Sequence, residues 1–286
     1  MKKILLIGSS GYIGSHLSSF LEKKGHELTK VDNLRRASSS SDDYSDLLKS
    51  NYQDLSEDFL NSYDDCIWLA GHSSVQDSLK EPKKALNNNF YDLILLREKF
   101  QNRFIYASSG SVYSRTVAEY SDETSPTMVP NNIYDFTKIS FDNYLISSNQ
   151  KGVGLRFGTV NGVSKNMKKE LMINSMVKSL KNLGEFHIMN KDFFRPILWI
   201  EDLVEAINAI VMSDIDNGIY NVASFNTSIG ELGKEIKSIT GAKVNDLGDT
   251  KTYNFMMKTQ KFEKEFEFEF KGSVHNIVDS LLEFDY

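Results

Sequence analysis

Tyr134 and Lys138 stand one helical turn apart in Tyr134-Asp-Phe-Thr-Lys138, so a helix through them would carry a phenol and an ammonium on one face. A free phenol has a pKa of about 10 and is a poor base at neutral pH. A nearby ammonium stabilises the phenolate and brings it toward working range. A half-exposed helical pair would look the same, so the spacing needs company. It has some upstream, where Phe104-Ile-Tyr-Ala-Ser-Ser-Gly-Ser-Val-Tyr113 reads as a strand ending in hydroxyls. At the carboxyl end of a parallel strand, Ser109 would hold a substrate oxygen in line with the tyrosine. Near the N-terminus, Gly8-Ser-Ser-Gly11-Tyr-Ile-Gly14 supplies a tight turn, close approach to a pyrophosphate and a helix start with free N–H groups. Asp32 follows at the distance where a carboxylate meets the adenosine ribose and repels a 2′-phosphate. Arg35 and Arg36 would instead attract that phosphate, or be two solvated loop cations. NAD is favoured, with NADP as the alternative.

These residues need a frame. Residues 3–7 form a short apolar run suited to a buried strand. Ile13, Leu17, Phe20 and Leu21 then repeat with helical spacing up to Gly25, and a strand at 27–31 ends on Asp32. That is a βαβ unit. Further strands are predicted at 66–70, 103–107 and 152–157, with helices over 86–100 and 133–148. The pattern predicts an α/β protein, a Rossmann-type doubly wound parallel sheet over residues 1–160. Residues 33–63, with Ser38–Ser41, read as a surface loop holding a short helix and one brief strand. Residues 161–286 form a smaller C-terminal α+β substrate domain, with about 196–224 returning to the first. Strands are predicted at 186–189 and 197–200, helices at 202–212 and near the C-terminus, and a capping box at Ser228 and Glu231.

Composition narrows the class. The chain has 286 residues, 33 Lys+Arg against 39 Asp+Glu and a formal charge of -6, which disfavours a nucleic-acid surface. One cysteine, Cys66, leaves no intrachain disulfide, and inside an apolar strand it reads as inert core. His16, His26, His72, His187 and His275 lie far apart, so no metal site is expected. No apolar run approaches a membrane span, and Met1–Ile7 enters a strand directly, without room for a signal peptide. A cytoplasmic protein is expected.

Taken together, the glycine motif, the strand ending Ser108-Ser109, Tyr-x-x-x-Lys, and Arg195 leading into Pro-Ile-Leu-Trp-Ile-Glu-Asp resemble the extended short-chain dehydrogenase/reductases. The branch is the nucleotide-sugar epimerase/dehydratase group. The resemblance covers nearly the whole chain and implies a catalytic set of Ser109, Tyr134 and Lys138. It places Gly8, Gly11, Tyr12, Ile13 and Gly14 at the pyrophosphate and Asp32 with Asn33 at the ribose. It also places Asp54 and Leu55 at adenine, and Leu69, Ala70, Gly71 and Asn89 at the nicotinamide half. On the substrate side it points to Ser73, Ser109, Asn174, Arg195 and Lys251, the last where many relatives carry arginine. A homodimer is expected by the same resemblance.

Departures from the pattern refine the chemistry. Gly110-Ser111 stand where 4,6-dehydratases carry an acid and a base, which argues against elimination of water. Thr159 replaces an asparagine that often contacts the diphosphate, and the chain is short after its second strand. His72 adjoins the expected cleft as a substrate contact or a structural histidine. Lys165–Lys169 reads as a phosphate-facing run or a solvated loop. The leading expectation is an NAD-dependent nucleotide-sugar 4-epimerase working by transient oxidation at C4. A net dehydrogenase or keto-reductase of a nucleotide sugar would use the same residues. An inactive dinucleotide-binding sensor would usually have lost Tyr134 or Lys138.

Overall fold

The computed structural model describes residues 1–35, 45–114 and 120–285. Arg36 and the serine run at 38–41 lie outside the described residues. The first strand, β1 (Lys3–Ile7), shows how the rest is built. Its side chains alternate, so Ile4 and Leu6 enter one hydrophobic core and Leu5 and Ile7 another on the opposite face. A strand covered on both faces needs such an unbroken apolar run.

In chain order there follow α1 (Tyr12–Lys23), β2 (Glu27–Asp32), β3 (Leu47–Lys49), α2 (Glu57–Leu60), β4 (Asp65–Trp68), α3 (Val75–Lys80), α4 (Pro82–Leu86), α5 (Asp92–Lys99), β5 (Arg103–Ser109), β6 (Tyr120–Ser121), α6 (Ile133–Ser148) and β7 (Val153–Phe157). The rest comprises β8 (Thr159–Asn161), α7 (Met172–Leu183), β9 (Glu185–Ile188), β10 (Phe194–Trp199), α8 (Ile200–Met212), β11 (Gly218–Val222), β12 (Phe225–Ser228), α9 (Ile229–Thr240), β13 (Lys243–Asp246), β14 (Met256–Met257), α10 (Gln260–Glu265) and α11 (Val274–Glu283).

Seven strands make one parallel sheet in the order β11-β7-β5-β4-β1-β2-β3. The order reverses between β1 and β4, and this switch point opens a crevice at the carboxyl ends of the strands. Leu17 and Leu21 of α1 and Leu203 and Ile207 of α8 cover one face. Leu93 and Leu96 of α5 and Phe141 and Leu145 of α6 cover the other. The doubly wound sheet expected from the sequence is therefore present. At its far end Arg103 pairs with buried Asp65 and also donates to the carbonyls of Ile210, Val211 and Ser213. One guanidinium thus bonds a buried carboxylate and carbonyls at the end of α8, fixing that helix to the sheet.

Three smaller sheets, β12-β10-β8, β13-β9 and β14-β6, lie outside the main one. Helices α7, α9 and α11 cover β9 and β10 around a separate core of Ile173, Phe186, Ile197, Leu232 and Ile277. Between these pieces the chain sends α8 and β11 back to the parallel sheet.

Several elements differ from expectation. β10 starts at Phe194 and ends at Trp199, so Arg195 lies inside the strand rather than ahead of it. β10 pairs with β12 along Phe194–Ile197 and with β8 only along Ile197–Trp199, so Arg195 stands opposite Thr227 of β12. Pairing partners far along the chain set that boundary, which local alternation cannot show. The helix expected over 86–100 begins at Pro82, a residue suited to a first helical turn, and a π-helical turn at Asn87–Tyr91 separates α4 from α5. Ser228 caps α9 by accepting from Glu231 N at 3.1 Å, but the Glu231 side chain pairs with Lys234, leaving the capping box half made.

Candidate active site

The turn after β1 needs glycine for different reasons at different positions. Gly8 has a φ of +88°, and a Cβ there would lie 2.6 Å from the Ala70 nitrogen. A Cβ on Gly14 would lie 2.0 Å from the Gly8 carbonyl oxygen. Gly8 is demanded by the close approach of the chain after β4, and Gly14 by the packing of α1 on the turn. A Cβ on Gly11 would meet only that same oxygen, at 3.4 Å, so its outer face is open. Gly11 also begins α1 with no side-chain capping bond, which leaves the first N–H groups of the helix for an anion. These groups border a cavity of about 340 Å³ that Ile13, Asp32, Asn33 and the segment Leu69–Ser73 also line. Tyr12 lines it too, with its hydroxyl donating to the Gly162 carbonyl at 2.8 Å.

Asp32 ends β2 and is held by the Ser10 N–H at 2.9 Å and the Leu34 N–H at 2.8 Å. Leu34 has a φ of 59°, unusual for a branched side chain, and the bond to Asp32 supports that conformation. Arg35 lines the same cavity with its guanidinium engaged by His72, at 2.9 Å, and Glu81. Asp54 and Leu55 are not among the lining residues; Asn51 and Tyr52 are. Asp54 accepts from Asn51 at 3.1 Å, and Leu55 enters the core.

The segment after β4 is shaped by the π-helical turn. That wider turn frees a carbonyl, on Asn88, which accepts from Tyr52. Asn88 in turn donates to the Ala70 carbonyl at 2.9 Å. Asn89, fully enclosed, clamps His72 from both sides, accepting from its N–H at 2.7 Å and donating to its carbonyl at 3.1 Å. Asn89 is thus a support of this segment. His72 is buried as well. Ser73 is exposed and receives a bond from Lys168 at 2.5 Å.

Ser109, Tyr134 and Lys138 come together beyond this segment. β5 ends on Ser109, and α6 carries the other two. The Lys138 ammonium donates to the Ala107 carbonyl at 2.7 Å, lies 5.8 Å from the centre of the Tyr134 ring, and would stand 3.5 Å from a Cβ on Gly71. Gly71 therefore connects the cavity to the trio. Burial pushes the Lys138 pKa down to about 8, against the opposing pull of the Asp142 charge. Burial pushes the Tyr134 phenol up to about 12; the nearby Ser109 hydroxyl lowers it, and the Asp135 charge raises it.

Substrate-side expectations fall in distinct places. Arg195 is buried, and its guanidinium donates to the carbonyls of Phe194 and Tyr253 and to the Thr252 hydroxyl. No carboxylate pairs with it among the described residues; Glu201 instead pairs with His16. Burial lowers its pKa to about 10. Lys251 is exposed beside Thr252. Asn174 is fully buried, accepting from Gly162 N at 3.0 Å and donating to Lys168 O at 3.0 Å, so it shapes the loop over Tyr12. Asp135, Asn132 and Tyr253, to which the sequence motifs assign no role, join Ser111 in a polar cluster beside the trio, with Asp135 and Ser111 buried. The one signal was an acid directly after the tyrosine. Cys66 is buried, and burial raises its thiol pKa.

An open glycine face, an uncapped helix start and a carboxylate ending the second strand fit a dinucleotide, with a phenol and an ammonium at its reactive end. Fold and site define an extended short-chain dehydrogenase/reductase. The family model "NAD dependent epimerase/dehydratase family" matches residues 4–223, and the chain belongs to that family. It is 30% identical over 239 residues to Protein CapI of Staphylococcus aureus, spanning 73% of this chain and 69% of the relative. It is 28% identical over 262 residues to an ADP-L-glycero-D-manno-heptose-6-epimerase of Brachyspira hyodysenteriae, spanning 82% and 80%. Its fold matches the crystal structure of a UDP-glucose 4-epimerase with UDP-glucose from Thermotoga maritima, with a TM-score of 0.84, 24% identity and coverage of 98% and 97%.

Proposed function

We propose that this protein is an NAD-dependent nucleotide-sugar 4-epimerase. The observation that carries the reading is the meeting of Ser109, Tyr134 and Lys138 at the end of β5, with Gly110-Ser111 next to them in place of the dehydratase acid and base. When bound, NAD supplies a hydride acceptor that later returns the hydride. Tyr134 takes the proton of the sugar 4-hydroxyl, Ser109 bonds the same oxygen, and the Lys138 ammonium stabilises the phenolate. Arg195, a buried cation with only neutral partners, pairs with the substrate diphosphate. Ser73 and Lys251 border the sugar nucleotide, and Asp32 favours NAD because Arg35 is engaged by Glu81. Exposed Leu79, Tyr91, Leu95, Phe136 and Ile146 on neighbouring helices support a homodimer. No helix of the described residues is long and apolar enough to cross a membrane, which supports a cytoplasmic protein.

The test is product analysis with UDP-, ADP- and dTDP-hexoses, with and without added NAD(P)(H). Interconversion of 4-epimers without added cofactor is the expected result. Product formation only with stoichiometric cofactor would replace the epimerase by a net oxidoreductase. Tyr134→Phe should lower turnover by about 10²–10⁴-fold while retaining NAD. A variant with a third of the wild-type rate would remove Tyr134 from the mechanism.

A further inference from the structure

Asp135 is fully buried, directly after Tyr134, and among the described residues no lysine or arginine pairs with it. Its Oδ2 accepts from Asn132 Nδ2 at 2.6 Å and from the Tyr253 hydroxyl at 3.0 Å. Its Oδ1 accepts from the Ser111 hydroxyl at 2.5 Å. The Ser111 and Ser109 hydroxyls are 2.8 Å apart, and Ser109 ends β5 near the Tyr134 phenol, whose pKa it lowers. By Coulomb's law, a fixed negative charge here opposes ionisation of the very tyrosine that must become a base. The arrangement is adverse unless the charge can move.

We propose that Asp135 receives the Tyr134 proton through Ser109 and Ser111, so that one negative charge is shared between carboxyl and phenol. The proposal rests on Tyr134 being the base of the function above. In the transfer the phenol O–H breaks as a proton passes to Ser109 Oγ. The Ser109 proton passes to Ser111 Oγ, and the Ser111 proton passes to Asp135 Oδ1. Three O–H bonds break, three form, and no electron changes owner. A neutral phenol and a carboxylate become a phenolate and a neutral carboxyl, so the two sites never carry two charges at once. Asn132 and Tyr253 both donate to Oδ2, which leaves Oδ1, on the Ser111 side, as the oxygen to be protonated. Asp135 is therefore a positioning residue that sets the charge of Tyr134 through two hydroxyls. A merely structural Asp135 would stabilise only the first turn of α6.

The deciding measurement is the infrared difference spectrum on adding NAD to the protein without sugar nucleotide. Positive charge arriving beside Tyr134 should drive the proton along the chain, and the carbonyl band of an un-ionised carboxyl should appear. It should be absent in Asp135→Asn, Tyr134→Phe and Ser111→Ala, and present in Ser111→Thr. No band in the wild type, or a band that survives Ser111→Ala, overturns the proposal. Turnover supplies a second readout. Loss of the Asp135 charge alone would ease ionisation of Tyr134, so a purely electrostatic role makes Asp135→Asn no slower than wild type. The relay makes it and Ser111→Ala slower by roughly tenfold or more, in kcat rather than KM, with Ser111→Thr restored. If Asp135→Asn does not fold, the two serine variants carry the comparison. A band without turnover of any sugar nucleotide would end the epimerase reading and leave the relay standing. Turnover without a band would do the reverse.

Discussion

At the residue scale, Lys138 is the group whose charge the mechanism most depends on. Its ammonium is enclosed and bonded to one backbone carbonyl, so burial disfavours the charged form and lowers its pKa from 10.5 to about 8. In protein free of cofactor, the Lys138 side-chain resonance, assigned with Lys138→Met, should therefore titrate near pH 8. A midpoint at the ordinary lysine value would show that the ammonium is solvated. The sign for stability follows from the same shift. Between about 8 and 10.5 the unfolded chain holds a proton that the folded one has released, so stability gains from Lys138 as pH rises through that window. Denaturant midpoints across the window should show this gain in the wild type and lose it in Lys138→Met.

At the element scale, the turn between β1 and α1 separates two uses of glycine that look identical in sequence. Alanine at Gly14 would press its Cβ to 2.0 Å from a backbone oxygen, so strand and helix would have to part. Gly14→Ala should lose roughly 1–3 kcal/mol or more of stability along with NAD binding. Alanine at Gly11 meets nothing closer than 3.4 Å, so the fold should survive. Its methyl group would stand on the face open to the pyrophosphate. Gly11→Ala should therefore weaken NAD binding at nearly unchanged melting temperature. Thermal denaturation and calorimetric NAD titration of both variants check the contrast, and equal melting losses would refute it. The π-helical turn works at the same scale, since it brings Asn88 and Asn89 to the two carbonyls that fix the segment from Ala70 to His72.

At the scale of the whole molecule, Tyr253 joins the small sheets to the active site. Its carbonyl accepts from Arg195 on β10, and its hydroxyl donates to Asp135 on α6. Arg195 is a buried cation bonded only to neutral oxygens, which leaves its charge for an anion. Arg195→Ala should weaken binding of a sugar nucleotide by about 2–4 kcal/mol with NAD content unchanged. Calorimetric titration with nucleoside diphosphates checks this, and equal affinity in mutant and wild type would end the assignment of the diphosphate to Arg195.

The parts legible in the sequence are those whose cause is local. Runs such as Lys3–Ile7 determine strands buried on both faces, and the glycines with the acid at residue 32 determine a βαβ unit. The spacing of Tyr134 and Lys138 on one helix fixes that they share a face. Pairing across the chain decided the rest. That Arg195 lies within a strand rather than ahead of one depended on β12, far along the chain, whose Thr227 stands opposite it. Asp54 and Leu55 lie outside the cavity lining because neighbouring Asn51 and Tyr52 face it. Asp135 stood in the motif itself, yet its meaning required Ser111, Asn132 and Tyr253 to converge on one carboxyl. A sequence fixes which groups exist and how those within a few residues lie. Only tertiary packing removes water from around a charge, and that removal turns a buried acid, lysine or arginine into chemistry.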